Sequence, residues 1–202
     1  CFEHTQLFSA ALEDLGFVVR RRLGRVGGSS RTRTHMSAEV RLGEQRYLVD
    51  PGFGSGITGP ISLAPGASRQ EPGGEYTIQH ADSEGVETWS LLRNGTSEHA
   101  VDALPVVPID VRTGHLITST DPSSGPFLHI PVVMKHTAEG HVSVAGSSRT
   151  VRRQGQQTRR EELSSAELVE AVRALDVRLD HEEAVRLRSV VDDLRRSSAA
   201  RG

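Results

Sequence analysis

THMSAEVRLGEQRYLVDPGFG, residues 34–54, is the most ordered pattern in the chain. Thr34, Met36, Ala38, Val40 and Leu42 alternate with His35, Ser37, Glu39 and Arg41, the period of two that marks a half-buried strand. Gly43-Glu44 can turn the chain, RYLVD is the return strand, and Pro51-Gly52 ends it, because proline brings no N–H to a ladder. A turn centred there pairs residues whose numbers sum to about 85–87, so His35 and Asp50 face each other within a residue or so.

Working outward, FEHTQLFSAALEDL (2–15) has helical periodicity, with Phe2, Leu7, Phe8, Ala11, Leu12 and Leu15 close to one face and Gly16 as a stop. FVVRRRLGRV (17–26) reads as a strand, and 27–33 as a loop. Beyond the hairpin, 54–74 is a proline- and glycine-rich loop, 75–94 a second hairpin turning at 83–85, and 127–152 a third turning at 138–140. The proline-rich segment 102–126 has no clear period. Ser164 to Glu167 form a capping box ahead of Leu168, Val172 and Leu175. Asp180 can cap a last helix carrying Val185, Leu187, Val190, Val191 and Leu194, and RRSSAARG is expected to fray. Helix, antiparallel strands, then helices make an α+β fold. Its parts are 1–60, a helix and the start of the β region; 61–152, an antiparallel β domain; and 153–202, a helical lid region.

Bulk composition narrows the function. At 202 residues the chain can bury a core without disulfides, and its one cysteine forbids an internal disulfide, as suits a reducing, cytoplasmic setting. A formal charge of −2 argues against nucleic acid as a partner. No apolar run approaches the ~20 residues of a membrane span, so no membrane partner is expected.

That single cysteine is Cys1, at the start of the first predicted helix. A helix N-terminus or an imidazolium lowers a thiol's pKa, and a nucleophilic thiol needs a histidine that a third group orients. His35 and Asp50 can supply both. Each residue also has an ordinary use: cysteine as a small buried hydrophobe, Asp before Pro-Gly as a turn residue, histidine as one of nine in the chain. A cysteine at position 1 also fits an N-terminal-nucleophile amidohydrolase, whose α-amine serves as base.

CFEH (1–4), LGF, GRV, THM, YLVDPGFG, PISL and STDPSSGPF (119–127) together resemble, in order and spacing, the arylamine N-acetyltransferase family. That family carries Cys-Phe-Glu-His, Thr-His-Met and Val-Asp-Val-Gly-Phe-Gly around its three catalytic residues. The resemblance covers roughly residues 1–150. It implies a cysteine-proteinase-like fold with an antiparallel barrel-type middle and C-terminal helices. It implies a Cys1–His35–Asp50 triad, a substrate pocket with Val26, Phe53 and Phe127, and contacts near the CoA thiol end from Thr34, Gly52 and Gly54. The implied reaction is ping-pong acetyl transfer from acetyl-CoA, without a metal, to an arylamine, arylhydrazine or arylhydroxylamine. Alternatives are an amide synthase with a carrier-bound acyl or polyketide donor, and an inactive fragment of such an enzyme. Thr5 and Pro51 depart from the family's Asn and Val, and the family's helical segment before the cysteine is missing. The chain is therefore expected to be a fragment of a longer parent.

Overall fold

The computed structural model describes residues 1–28, 30–83 and 85–199. Ser29 of the 27–33 loop, Glu84 of the 83–85 turn and residues 200–202 of the tail expected to fray lie outside the described residues.

Helix α1 (Phe2–Asp14) ends where Gly16 takes a positive φ of 88°. Its orientation differs from the sequence expectation. The face turned to the protein carries Phe2, Thr5 and Ser9, while Leu7 and Leu15 of the apolar stripe are 75% and 74% exposed. On that face Thr5 Oγ1 donates to the Met36 carbonyl at 2.8 Å, inside the protein. A buried hydroxyl left unpaired costs ~1–3 kcal/mol, so the bond pins the helix to the strand beneath it.

Strands β1 (Val18–Val26), β2 (His35–Leu42), β3 (Gln45–Val49), β4 (Ile61–Ser62), β5 (Ser68–Glu71), β6 (Gly74–Ser83), β7 (Val86–Arg93) and β8 (Thr96–Asp102) form one antiparallel sheet. Its order is β4-β3-β2-β1-β8-β7-β6-β5. The two outermost strands are consecutive in sequence, joined only by residues 63–67, so the sheet curls toward a barrel. Its inner face buries Leu48, Tyr76, Ile78, Trp89, Leu91 and Val101. The hairpin at Gly43-Glu44 has the expected turn, with Leu42 opposite Gln45. β2 is not half-buried, however: His35 through Val40 are all buried, since α1 covers one face and the barrel core the other. β8 is a strand that periodicity did not reveal. It follows Asn94-Gly95, both at positive φ, a hairpin turn of the type that matches strand twist.

The proline-rich 102–126 segment contains helix α2 (Pro108–Thr120), with Pro108 in its first turn and the Asp110 carboxylate accepting from the Val107 N–H. Two short 3-10 turns follow, Pro122–Ser124 and Pro126–Leu128. A second sheet, ordered β12-β11-β10-β9, comprises β9 (Val132–Thr137), β10 (Gly140–Ala145), β11 (Ser148–Arg152) and β12 (Arg159–Glu162). Helices α3 (Ser165–Arg173) and α4 (His181–Ala199) complete the α+β fold. The capping box forms as expected, with the Glu167 N–H donating to Ser164 Oγ, and Asp180 caps α4. α4 continues through the first residues of the tail expected to fray, up to Ala199. The second core joins Val144 to Leu168, Val172 and Val191. No described helix is long and apolar enough to cross a membrane.

Trp89 is the largest fully buried side chain of the barrel. Trp89→Ala should lower the unfolding free energy by about 3–5 kcal/mol in urea titration. A change below ~1 kcal/mol would mean that the barrel interior is not the stabilising core.

Candidate active site

Register places the polar residues of the site. The last ladder pair of β2 and β3 is Ala38 with Val49, so Asp50 continues opposite Ser37, with His35 as its diagonal neighbour on the same face. His35 Nε2 and Asp50 Oδ2 are 2.8 Å apart, and both residues are buried. In the tautomer that donates Nε2–H to the carboxylate, the ring's Nδ1 remains free to serve a thiol.

Cys1 reaches the same place from the helix. As N-cap of α1 it is fixed by the Thr5–Met36 bond and by packing against Phe2, Leu23 and Met36. Its Sγ is 3.8 Å from the carbonyl of Thr34, the residue before His35. On the other side Gly52 touches its backbone. A Cβ on Gly52 would come within 2.4 Å of Cys1 Cα and 2.8 Å of its carbonyl oxygen. Pro51-Gly52 thus ends β3 and also makes the floor on which the cysteine rests.

The structure adds His99, on β8, which the sequence reading missed. β1 runs between β2 and β8, with Gly24 opposite both His35 and Val101, and Val26 opposite His99. His35 and His99 therefore share a face but stand two strands apart. The imidazoles nonetheless lean together over β1 to a centroid separation of 4.6 Å. His99 Nε2 lies 2.8 Å from Asp50 Oδ2, the atom that His35 also contacts. The contact has the length of a hydrogen bond but not its direction, and both His99 nitrogens and Asp50 Oδ1 are buried without a hydrogen-bond partner. The signal for β8 was the Asn94-Gly95 pair.

The expected pocket residues separate. Phe53 packs edge-on against both His35 and His99, at 5.0 Å from each. Val26 is the cross-strand neighbour of His99. Phe127 sits in the second 3-10 turn, 62% exposed, and is not among the aromatic partners of either imidazole. Thr34 lies against α2, where the Thr118 hydroxyl, which donates to the Gly114 carbonyl at 2.8 Å, stands 3.2 Å from the Thr34 carbonyl. Gly54 lies against Met134 of β9, and its carbonyl accepts from His141 Nε2 of β10 at 2.9 Å. The second sheet thereby holds the turn that follows Asp50.

Burial pushes the Asp50 carboxyl up, but the two imidazoles outweigh it and hold it well below the usual carboxylate range. Burial dominates for His35, whose pKa falls despite the neighbouring carboxylate. A neutral His35 is the state needed to take a proton from a thiol. Two histidines and a carboxylate are also a metal-ligand set, with their ligand atoms within 4.8 Å of one another. The 2.8 Å from Asp50 Oδ2 to each ring nitrogen, however, is a hydrogen-bonding distance. Donors at ~2.0–2.1 Å around a tetrahedral cation stand about 3.3 Å apart, so a cation would have to spread the cluster. A depression of about 430 Å³, lined by Leu23, Arg25, Arg31, Thr32, Arg33 and Asp110, includes the two residues before Thr34 but not Cys1, His35 or Asp50. A larger one of about 570 Å³, lined by Gln70, Glu139 and Arg153, includes none of the site residues.

The family model for N-acetyltransferase matches residues 1–184. The arylamine N-acetyltransferase of Escherichia coli (strain K12) is 30% identical over 145 residues, which take in 69% of this chain and 51% of that protein. The solved arylamine N-acetyltransferase of Mycobacterium abscessus superposes with a TM-score of 0.85 at 25% identity, covering 95% of this chain and 72% of that one. The Mycobacterium marinum arylamine N-acetyltransferase in complex with CoA matches with a TM-score of 0.76 at 25% identity, over 96% of this chain and 75% of that one. The chain spans between 33% and 66% of the length of the curated relatives it matches.

Two outcomes follow from this geometry. Gly52→Ala should displace Cys1 and cut its alkylation rate at pH 7 by tenfold or more while the second core stays folded; an unchanged rate would show that Gly52 does not seat the cysteine. His141 is held, by burial first, at a pKa of about 4 against its ordinary 6.5. The unfolded chain then binds the extra proton, so stability is complete above pH ~6.5 and declines as pH falls toward ~4. His141→Gln should flatten that decline in melts across the window, and an identical slope would contradict the assignment.

Proposed function

Because the chain belongs to the arylamine N-acetyltransferase family, we propose that it carries the site of an acyltransferase that moves an acetyl group from acetyl-CoA to an aromatic amine or hydrazine through a thioester on Cys1. The observation that carries this reading is the buried His35–Asp50 pair at 2.8 Å, with Cys1 seated between Thr34 and Gly52.

The proposed steps use the chain's own residues. His35 Nδ1 takes the Cys1 proton, and Asp50 on Nε2 stabilises the imidazolium that forms. The thiolate adds to the acyl carbonyl of acetyl-CoA. The carbon–sulfur bond to CoA then breaks, and the imidazolium returns its proton to the departing CoA thiolate. One thioester replaces another, so this half-reaction is close to thermoneutral and is limited by making the nucleophile. In the second half an aromatic amine, neutral at pH 7 because its nitrogen is weakly basic, attacks the acetyl carbonyl. His35 accepts the amine's proton and passes it to the leaving Cys1 thiolate. The products are the amide and the free thiol.

Phe53 and Val26 supply apolar surface beside the imidazoles for the aromatic ring. Exposed Phe127 is the third pocket residue proposed from sequence. Thr34, Gly52 and Gly54 border the thiol end of the CoA. The arginine-lined depression next to Thr34 suits the anionic part of that donor, since guanidinium groups bind phosphate oxygens bidentately. The relative solved in complex with CoA supports CoA chemistry for this fold.

Intact-mass analysis after brief exposure to acetyl-CoA, then hydroxylamine, tests the reading. One acetyl group on the Cys1 peptide, removed by hydroxylamine and absent in Cys1→Ser, is expected. No adduct would contradict a thioester intermediate, whereas an acetyl group that resists hydroxylamine would mark its transfer from sulfur to the Cys1 α-amine.

A further inference from the structure

We infer that His99 is a positioning residue for Asp50, and that the site operates as a Cys1–His35–Asp50 triad buttressed by a second imidazole. The inference rests on the acyl-transfer reading of the same site.

Three observations carry it. His99 Nε2 stands 2.8 Å from Asp50 Oδ2, and the His99 side chain is fully buried. Asp50 Oδ1 and both His99 nitrogens have no hydrogen-bond partner, so the cluster is not already satisfied by the fold around it. The His99 ring packs on those of His35 and Phe53, at 4.6 and 5.0 Å. A strand position opposite Val26 and Leu91 invites an apolar side chain, and Ile, Val or Leu would fill the space without burying ring nitrogens that lack partners. Histidine here needs a reason, and the carboxylate provides it.

In the tautomer with its proton on Nε2, His99 presents a second N–H to Asp50 Oδ2. The bent contact is weaker than a straight hydrogen bond, yet in a water-poor barrel interior a donor dipole beside a carboxylate counts for more than in water. It keeps Asp50 ionised and its oxygen aimed at His35. It also stops the His35 ring from rotating away from Cys1. Among the described residues the other charged groups on this face are the Cys1 α-ammonium at the site itself and the buried Arg22–Glu39 pair, two residues beyond Gly24 on β1 and four beyond His35 on β2. Phe53, Val26 and Leu91, which flank the ring, carry no charge. His99 thus sets the pH range over which Cys1 is a thiolate, without touching substrate.

The chain has a single cysteine, so alkylation by iodoacetamide, followed by intact mass, reports on Cys1 alone. Its rate would be measured from pH 5 to 9 for the unaltered chain, His99→Gln and His99→Met, with a thermal melt of each. His99→Gln keeps a donor near Nε2, whereas His99→Met fills the space without one. The unaltered chain should show an acidic limb below the ordinary thiol range. In His99→Met that limb should move up by about one pH unit, a tenfold slower reaction at pH 6, while His99→Gln stays within about threefold of the unaltered chain. A limb in His99→Met identical to that of the unaltered chain would overturn the proposal. So would an equal shift in both variants, which would assign the effect to packing. Should His99→Met fail to melt cooperatively, His99→Gln still decides: a shift of a full pH unit in a folded His99→Gln contradicts the donor role. Alkylation needs neither acyl donor nor amine. A chain inert toward acetyl-CoA therefore leaves the His99 result readable, and an unaltered chain with an ordinary thiol limb would sink the triad itself.

Discussion

A carboxylate in the interior of a β-barrel is expensive, and the arrangement around Asp50 is the answer to that cost. Moving an ionised carboxyl out of water costs several kcal/mol even after the protein relaxes, and removing one member of a buried pair costs about 3–5 kcal/mol. Asp50 meets this with an imidazole on either side of one oxygen. The consequence runs outward. His35 is held in one orientation with one ring nitrogen on the carboxylate, which leaves the other free. Burial lowers the pKa of His35 despite the carboxylate, so the imidazole holds a cation's proton only where a thiolate beside it supplies the balancing charge.

Backbone features make that cluster possible. Gly24 lets β1 lie close against β8, where a Cβ would come within 2.8 Å of the Ala100 carbonyl oxygen and 3.1 Å of Val101. Gly52 lets the turn after β3 lie directly on the first residue of α1. The Thr5 hydroxyl, bonded to the Met36 carbonyl, ties the helix to β2 at the residue next to His35. Each is a close approach between chain segments far apart in sequence. The second sheet then reaches over through the His141 bond to Gly54 and clamps the same turn from outside. Cys1, His35 and Asp50 thus lie where α1, the barrel and the β9–β10 hairpin converge, and each supplies one restraint on them.

The hairpin was legible because its signal is local. Alternation over 34–42, a two-residue turn and a stop at Pro51-Gly52 fix a register, and the register brings His35 to Asp50. The capping box at Ser164 was legible for the same reason. What escaped depends on contacts between distant segments. The apolar stripe of α1 predicted a buried face with Leu7 and Leu15, but the helix turns Phe2, Thr5 and Ser9 inward, with Thr5 bonded to a distant strand. Helix α2 hid because its apolar residues, Ile109 and Leu116 among them, stay exposed and give no clean stripe; Pro108 and Asp110 were its readable marks. His99 could not be found from spacing, since it joins Asp50 only through the order β2-β1-β8. Phe53 and Phe127 looked alike in sequence, yet only Phe53 touches the imidazoles.

If the buried carboxylate, acting through His35, makes Cys1 a thiolate, the thiolate absorbance near 240 nm will follow pH differently in the unaltered chain and in Asp50→Asn. Absorbance rising well below pH 7 in the unaltered chain, and moving toward pH ~8.5 in the variant, is the predicted result. Superimposable curves, both rising near pH 8.5, would contradict it and leave Cys1 an ordinary thiol beside an unrelated ion pair.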